Sequence, residues 1–272
     1  LALCVNPTFE YVKIIDKTRD NRVFIILEKR IAQIIPAVGK KDCTPEKKAE
    51  LYTVIETMKG SDLVGKKYKP LFEYFREDHG AKAWRVLGDS YVTEDGGTGI
   101  VHQAPAFGED DHRICVEHGV VGKGADLPCP VDANGRFTDE VPDWKGINVK
   151  DADNDICARL KADGRLLVKE SYVHSYPFCW RSDTPLIYKA VPSWFVSVET
   201  IKERLVANNQ TTYWVPDFVK EKRFHNWLVD ARDWAISRNR FWGTPLPIWC
   251  SEDFEEIVTV GSIQELYDLS GV

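Results

Sequence analysis

Apolar residues in this chain come only in short runs, of which the five at residues 23–27 are typical, with turn-forming Gly, Pro, Asp and Asn between them. No run approaches the roughly 18 to 20 consecutive apolar residues that a membrane-crossing helix requires. The fold must therefore be assembled from many short elements, and no membrane partner is expected. With 272 residues, 43% of them apolar, the chain can bury the core of one large domain or two ordinary ones. Lys and Arg total 36 against 42 Asp and Glu, a net charge of −6, so any contact with nucleic acid has to be local. Seven cysteines are scattered without a C-x-x-C pair, which favours reduced thiols in a reducing compartment. The first residues carry neither a basic leader nor an initiating Met and read as an internal cut.

Residues 8–15 alternate imperfectly, with a slip of phase at Val12, and after a turn-like stretch lead into the apolar run 23–27; this predicts a hairpin. Residues 45–59 place Leu51, Val54, Ile55 and Met58 at helical spacing behind Thr44 as N-cap and Pro45 in the first turn, predicting one helix that stops at Gly60. The runs 84–87, 91–93 and 98–104 read as short strands forming a second hairpin around Asp95-Gly96. Helices are expected over 111–118, closed by Gly119, and over 149–162, closed by Gly164. Strands interleaved with helices predict an α+β fold. Near residue 190 the texture changes: six of the nine tryptophans follow, and residues 219–240 carry six basic side chains against three acidic ones. A boundary there divides the chain into 1–190 and 191–272.

Residues 97–118 concentrate the ionisable groups: His102, Glu109, Asp110, Asp111, His112, Cys115 and His118. A plain reading makes the glycines a tight turn, Pro105 a strand end, and Asp110 or Asp111 a helix cap. A zinc site is a second reading, but at about 100° per residue His112, Cys115 and His118 cannot all face one ion, so no metal is expected. A third reading is a pocket for a small cation. Ile100, His102 and Ala104 share one strand face, and Asp111, brought over that wall by the next loop, would bind an ammonium while His102 limits the neighbouring side chain.

The string GTGIVHQAPAFGEDD at residues 97–111 resembles the editing motif of the isoleucyl-tRNA synthetases. LCVNP at 3–7, SYPFCWRSDTP at 175–185, PSWF at 192–195 and ISRNRFWG at 236–243 also resemble that family, in its eukaryotic cytosolic form. His102 separates it from the related valyl and leucyl enzymes, which usually carry Lys, or Met or Thr, at this place. Neither the H-I-G-H nor the K-M-S-K-S signature occurs, and the family's Thr-rich editing peptide would lie upstream of Leu1.

The resemblance implies a β-barrel-like editing domain decorated by helices over 1–190, and over 191–272 the return toward a class I nucleotide-binding domain. It implies hydrolysis of valine from mischarged tRNA for isoleucine, and of valyl adenylate, in the cytoplasm. No cofactor is implied for that reaction, ATP serving only the full-length synthetase. The partners implied are the valine-charged 3′ end of that tRNA and the remainder of the synthetase. His102 and Asp111 carry the catalytic role, with Ile100, Ala104, Phe107, Asp110 and Asp111 around the substrate. Water attacks the ester, positioned with help from the terminal adenosine's own hydroxyl, and loss of Asp111 is expected to cost activity with little loss of stability. Lys222, Arg223, Arg238 and Arg240 are candidate tRNA phosphate contacts. The alternative is a module that binds a tRNA end, or packs between domains, without turnover.

Overall fold

The computed structural model describes residues 1–122, 127–171, 173–238 and 242–271. The chain divides into two compact units, Leu1–Pro192 and Ser193–Val272. Helix and strand are mixed in both, as the α+β reading expects.

In the first unit the elements are, in chain order, β1 (Ala2–Val5), β2 (Glu10–Asp16), β3 (Arg22–Leu27), α1 (Ile31–Ile34), α2 (Pro45–Leu51), β4 (Tyr52–Lys59), α3 (Arg76–His79), β5 (Val86–Gly88), β6 (Ile100–Gln103), α4 (Glu109–Glu117) and α5 (Val149–Ala162). Strands β3, β2 and β4 form an antiparallel sheet with β2 in the middle. The hairpin read at residues 8–27 is present as β2 and β3. Its imperfect alternation corresponds to a shift of register against β4 between Lys13 and Ile14.

Two expectations fail here. The helix read over 45–59 ends at Leu51, and Tyr52–Lys59 is strand β4. The start was legible, since Thr44 caps the helix and Pro45 opens it. The remainder is decided by β2, whose backbone pairs residue by residue with a segment rich in β-branched side chains. The second hairpin is also absent. Strands β5 and β6 do not pair with each other: β1 lies between them, parallel to β5 and antiparallel to β6. Helix α5 has the expected bounds, capped by the Asn148 side chain and ended by Gly164 at φ +65°.

The two sheets meet at several points. The Leu27 N–H donates to the Thr98 carbonyl (3.0 Å), and the segment after β4 runs along β5, with Gly65 N–H bonded to Val86 (2.8 Å) and Val86 N–H to Lys66 (2.9 Å). Val5, Tyr11, Leu27 and Met58, joined by Val86 and Ile100, bring one side chain from each of the six strands into a shared cluster. Each large apolar side chain buried in this way contributes about 1.5–3 kcal/mol. On the other face of β1 and β6, Ala2, Cys4 and Val101 pack with Ile114 and Cys115 of α4. That packing holds α4 against the end of β6.

Gly99 is one tight point of the junction. Its φ is +77°, a Cβ would stand 2.5 Å from Leu27 Cβ, and its carbonyl accepts the Tyr11 hydroxyl at 2.7 Å. Gly99→Ala should destabilise the protein by about 2–5 kcal/mol, a strained backbone added to an overpacked contact. An unchanged denaturation midpoint would contradict that account of the junction.

In the second unit, β7 (Phe195–Val196) pairs with β8 (Trp234–Ala235), and β9 (Ile248–Cys250) with β10 (Ile257–Thr259). Its helices are α6 (Lys202–Gln210), α7 (His225–Val229), entered through a wide turn at Val219–Phe224, and α8 (Ile263–Ser270). Ser262 caps α8 by accepting the Glu265 N–H, and the Glu265 carboxylate accepts the Gly261 N–H in return. Phe224 stacks on Trp227, which is largely exposed, and meets Trp214 at a tilt. No described helix is long and apolar enough to cross a membrane.

Candidate functional site

Strand β6, the tight turn after it and the first turn of α4 carry most of the candidate residues. Ala104 begins the turn, and its carbonyl accepts the N–H groups of Phe107 (2.8 Å) and Gly108 (3.1 Å). Gly108 is the N-cap of α4 and offers no side chain to the helix. Asp111, three residues into the helix, reaches back past the N-cap, and its Oδ2 accepts the Ala104 N–H at 3.0 Å. Its Oδ1 accepts the Tyr91 hydroxyl at 3.4 Å. Gly108 leaves room for this: a Cβ there would lie 2.6 Å from Asp111 Oδ2. The capping expectation therefore fails: neither Asp110 nor Asp111 caps the helix, and Asp111 instead closes the strand-to-helix turn.

A carboxylate has about four acceptor positions, so two bonds leave Asp111 able to accept from an ammonium. His102 lies in register with Leu3 on β1. Strand alternation sends its side chain to the face of Ile100, opposite Gln103, and the residue is exposed. Desolvation by the surrounding protein lowers its pKa from the ordinary imidazole value, and the Asp111 carboxylate opposes this. The imidazole lies on the face of β6 away from α4, while Asp111 bonds at the strand end and, through Tyr91, on the α4 side. The expected wall of Ile100, His102 and Ala104 with Asp111 over it is not the arrangement formed, and Asp111 reaches His102 only as a charge. Ile100 joins the shared strand cluster. Asp110 turns away to Arg113 (3.2 Å), which also grips Asp89 (3.0 Å) and holds the Asp89 carboxyl below its ordinary pKa. Phe107 is half-buried at the turn.

Tyr91 and Gln103 were not singled out from the sequence. Gln103 is wholly buried on the face of Val101, where the strand pattern calls for an apolar residue, and that misfit was a signal; Tyr91 gave none. Burial raises the Cys115 thiol to about 11, and among the described residues no His, Cys, Asp or Glu side chains gather in threes around a common point. In the second unit Lys222 and Arg223 are exposed on the wide turn, Arg223 over the Phe218 ring at 5.9 Å. Arg238 is exposed and donates to the Ala235 (3.0 Å) and Ser237 (2.8 Å) carbonyls. Arg240 lies outside the described residues.

Residues 13–270 match the family model described as tRNA synthetases class I (I, L, M and V), and the chain belongs to that family. Within it, the chain is 52% identical to a protein of Arabidopsis thaliana, 54% to one of Saccharomyces cerevisiae and 54% to one of Mus musculus, each named isoleucine–tRNA ligase, cytoplasmic. All of this chain is covered in each comparison, against 24%, 24% and 20% of those proteins, so it spans about a quarter of their length or less. Among solved structures, a chain described as GlLeuRS-CP1 aligns with a TM-score of 0.42 at 16% identity, over 63% of this chain and 78% of that one, a similarity too slight to bear on the fold.

Proposed function

We propose that this chain is the proofreading region of a cytoplasmic isoleucine–tRNA ligase, which hydrolyses valine from mischarged tRNA for isoleucine, with valyl adenylate as a secondary substrate. The observation that carries the reading is the Asp111 carboxylate, fixed by the Ala104 N–H at the end of the strand that bears His102. The relatives' shared name supports the cytoplasmic setting. A barrel-like reading of the first unit draws support from the six-strand cluster and the backbone bonds between the sheets. In this proposal the first unit is the editing domain, and the second leads back toward the nucleotide-binding domain of the synthetase.

The need for such a region is energetic. One methylene in a synthetic pocket is worth only about 1–3 kcal/mol; the isoleucine–valine pair is itself the established example of this limit, so the figure is general and not read from this structure. A second pocket that admits valine and rejects isoleucine by overpacking reverses the selection. Asp111 receives the α-ammonium, His102 fills the space the larger side chain would need, and water attacks the ester, which is already activated. No cofactor enters. Lys222, Arg223, Arg238 and Arg240 are proposed phosphate contacts, and the valine-charged tRNA end and the rest of the synthetase are the proposed partners.

The exposed Trp227 and Trp234 favour a second reading, binding or packing without turnover. Valyl- and isoleucyl-tRNA for isoleucine, each incubated with the protein while ester loss is followed, separate the two. The proposal expects the valyl ester to fall and the isoleucyl ester to persist. Equal loss of both, or binding with neither lost, would overturn it.

A further inference from the structure

Gln103 has no exposed surface, yet its side chain is polar and its Oε1 has no hydrogen-bond partner among the described residues. An apolar side chain of the same shape would avoid that desolvation cost, so packing alone does not account for a glutamine here. Its Nε2 donates to the Tyr91 hydroxyl at 2.6 Å. The direction of the chain is then fixed by its far end. An ionised carboxylate only accepts, so Tyr91 must donate its proton to Asp111 Oδ1 and take its own hydrogen bond from the Gln103 amide. Burial raises the Tyr91 phenol above its ordinary pKa, as does the Asp111 charge, against the Gln103 bond, and the group remains a donor at any working pH. Tyr91 itself is tethered by its N–H to the Asp89 carboxylate at 2.9 Å, and Asp89 is held by Arg113 of α4. The donor and the helix that carries Asp111 are thereby locked to one another.

We infer that Tyr91 and Gln103 are positioning residues of the proofreading site, holding the plane of the Asp111 carboxylate so that its open acceptor positions meet the substrate's α-ammonium. This rests on the function proposed above. The Ala104 N–H fixes Oδ2 and Tyr91 fixes Oδ1, so the carboxylate cannot rotate about its last bond without losing one of them. Neither Tyr91 nor Gln103 touches the reacting ester.

The test uses Tyr91→Phe, Gln103→Met and the double variant in the full-length protein, with valyl-tRNA deacylation and thermal melting measured for each, beside Asp111→Ala. Tyr91→Phe should raise KM about tenfold with kcat changed less than about threefold, because the lost bond orients the binding carboxylate rather than the attacking water. Gln103→Met should raise KM in the same sense by about threefold while its melting temperature stays level or rises, the unpaired amide oxygen being gone. The double variant should be no worse than Tyr91→Phe, since the two act through one chain. Normal KM in both single variants, with Asp111→Ala inactive, would overturn this inference alone. The same holds for losses that track only the folded fraction and leave KM untouched. Full activity in Asp111→Ala would remove the reading of the site itself.

Discussion

His102→Ala should leave valyl-tRNA hydrolysis within about threefold of the parent rate and raise isoleucyl-tRNA hydrolysis by roughly ten- to a hundredfold. The expected magnitude is that of one methylene's worth of steric exclusion released. Stability should change little, by about 0.5 kcal/mol or less, because His102 is exposed and no hydrogen bond to its ring is found among the described residues. That separation makes the variant informative: a change of specificity cannot be ascribed to unfolding. His102 is also neutral near pH 7, since desolvation lowers its pKa, so its chemistry would allow it to act as a base. Inactivity toward both esters would assign it that role, and retained discrimination would remove it from the pocket wall altogether.

What could be read from the sequence follows from how local each determinant is. The 149–162 helix is bounded by its own cap and its own left-handed glycine, both within a residue or two of its ends, and the expected bounds coincide with the observed ones. The β2–β3 hairpin is likewise closed by a short connection. Strand β4 was misread because Leu51, Val54, Ile55 and Met58 fit a helical period, while the deciding interaction, pairing with β2, is some forty residues away in the chain. The misplaced second hairpin has the same cause. Leu3 pairs with Val86 and His102, and nothing in residues 84–104 announces that a strand from the start of the chain will separate them. At the candidate site, His102 and Asp111 stood out through a motif, and the motif encodes the strand, turn and helix that position them. Tyr91 lies outside that motif, and its part in the arrangement depends on packing between α4 and the turn after β5, which no periodicity expresses.

The geometry also changes what Asp111 should do when replaced. From sequence, Asp111→Ala is expected to abolish deacylation at little structural cost. In the structure the carboxylate holds the Ala104 N–H and receives Tyr91, so the alanine variant leaves a half-buried N–H without its acceptor and should lose about 1–2 kcal/mol of stability. Activity should fall much further. Removing one member of an ammonium–carboxylate pair costs about 2–5 kcal/mol, which corresponds to roughly thirtyfold to several thousandfold in kcat/KM. Asp111→Asn tells the two effects apart. Its amide oxygen can still accept the Ala104 N–H and preserve the turn, but it carries no charge for the α-ammonium. The asparagine variant should melt within about 2 °C of the parent and hydrolyse valyl-tRNA as poorly as the alanine variant. An asparagine variant that deacylates normally would mean that Asp111 serves the turn alone, and the ammonium must then be held by another group.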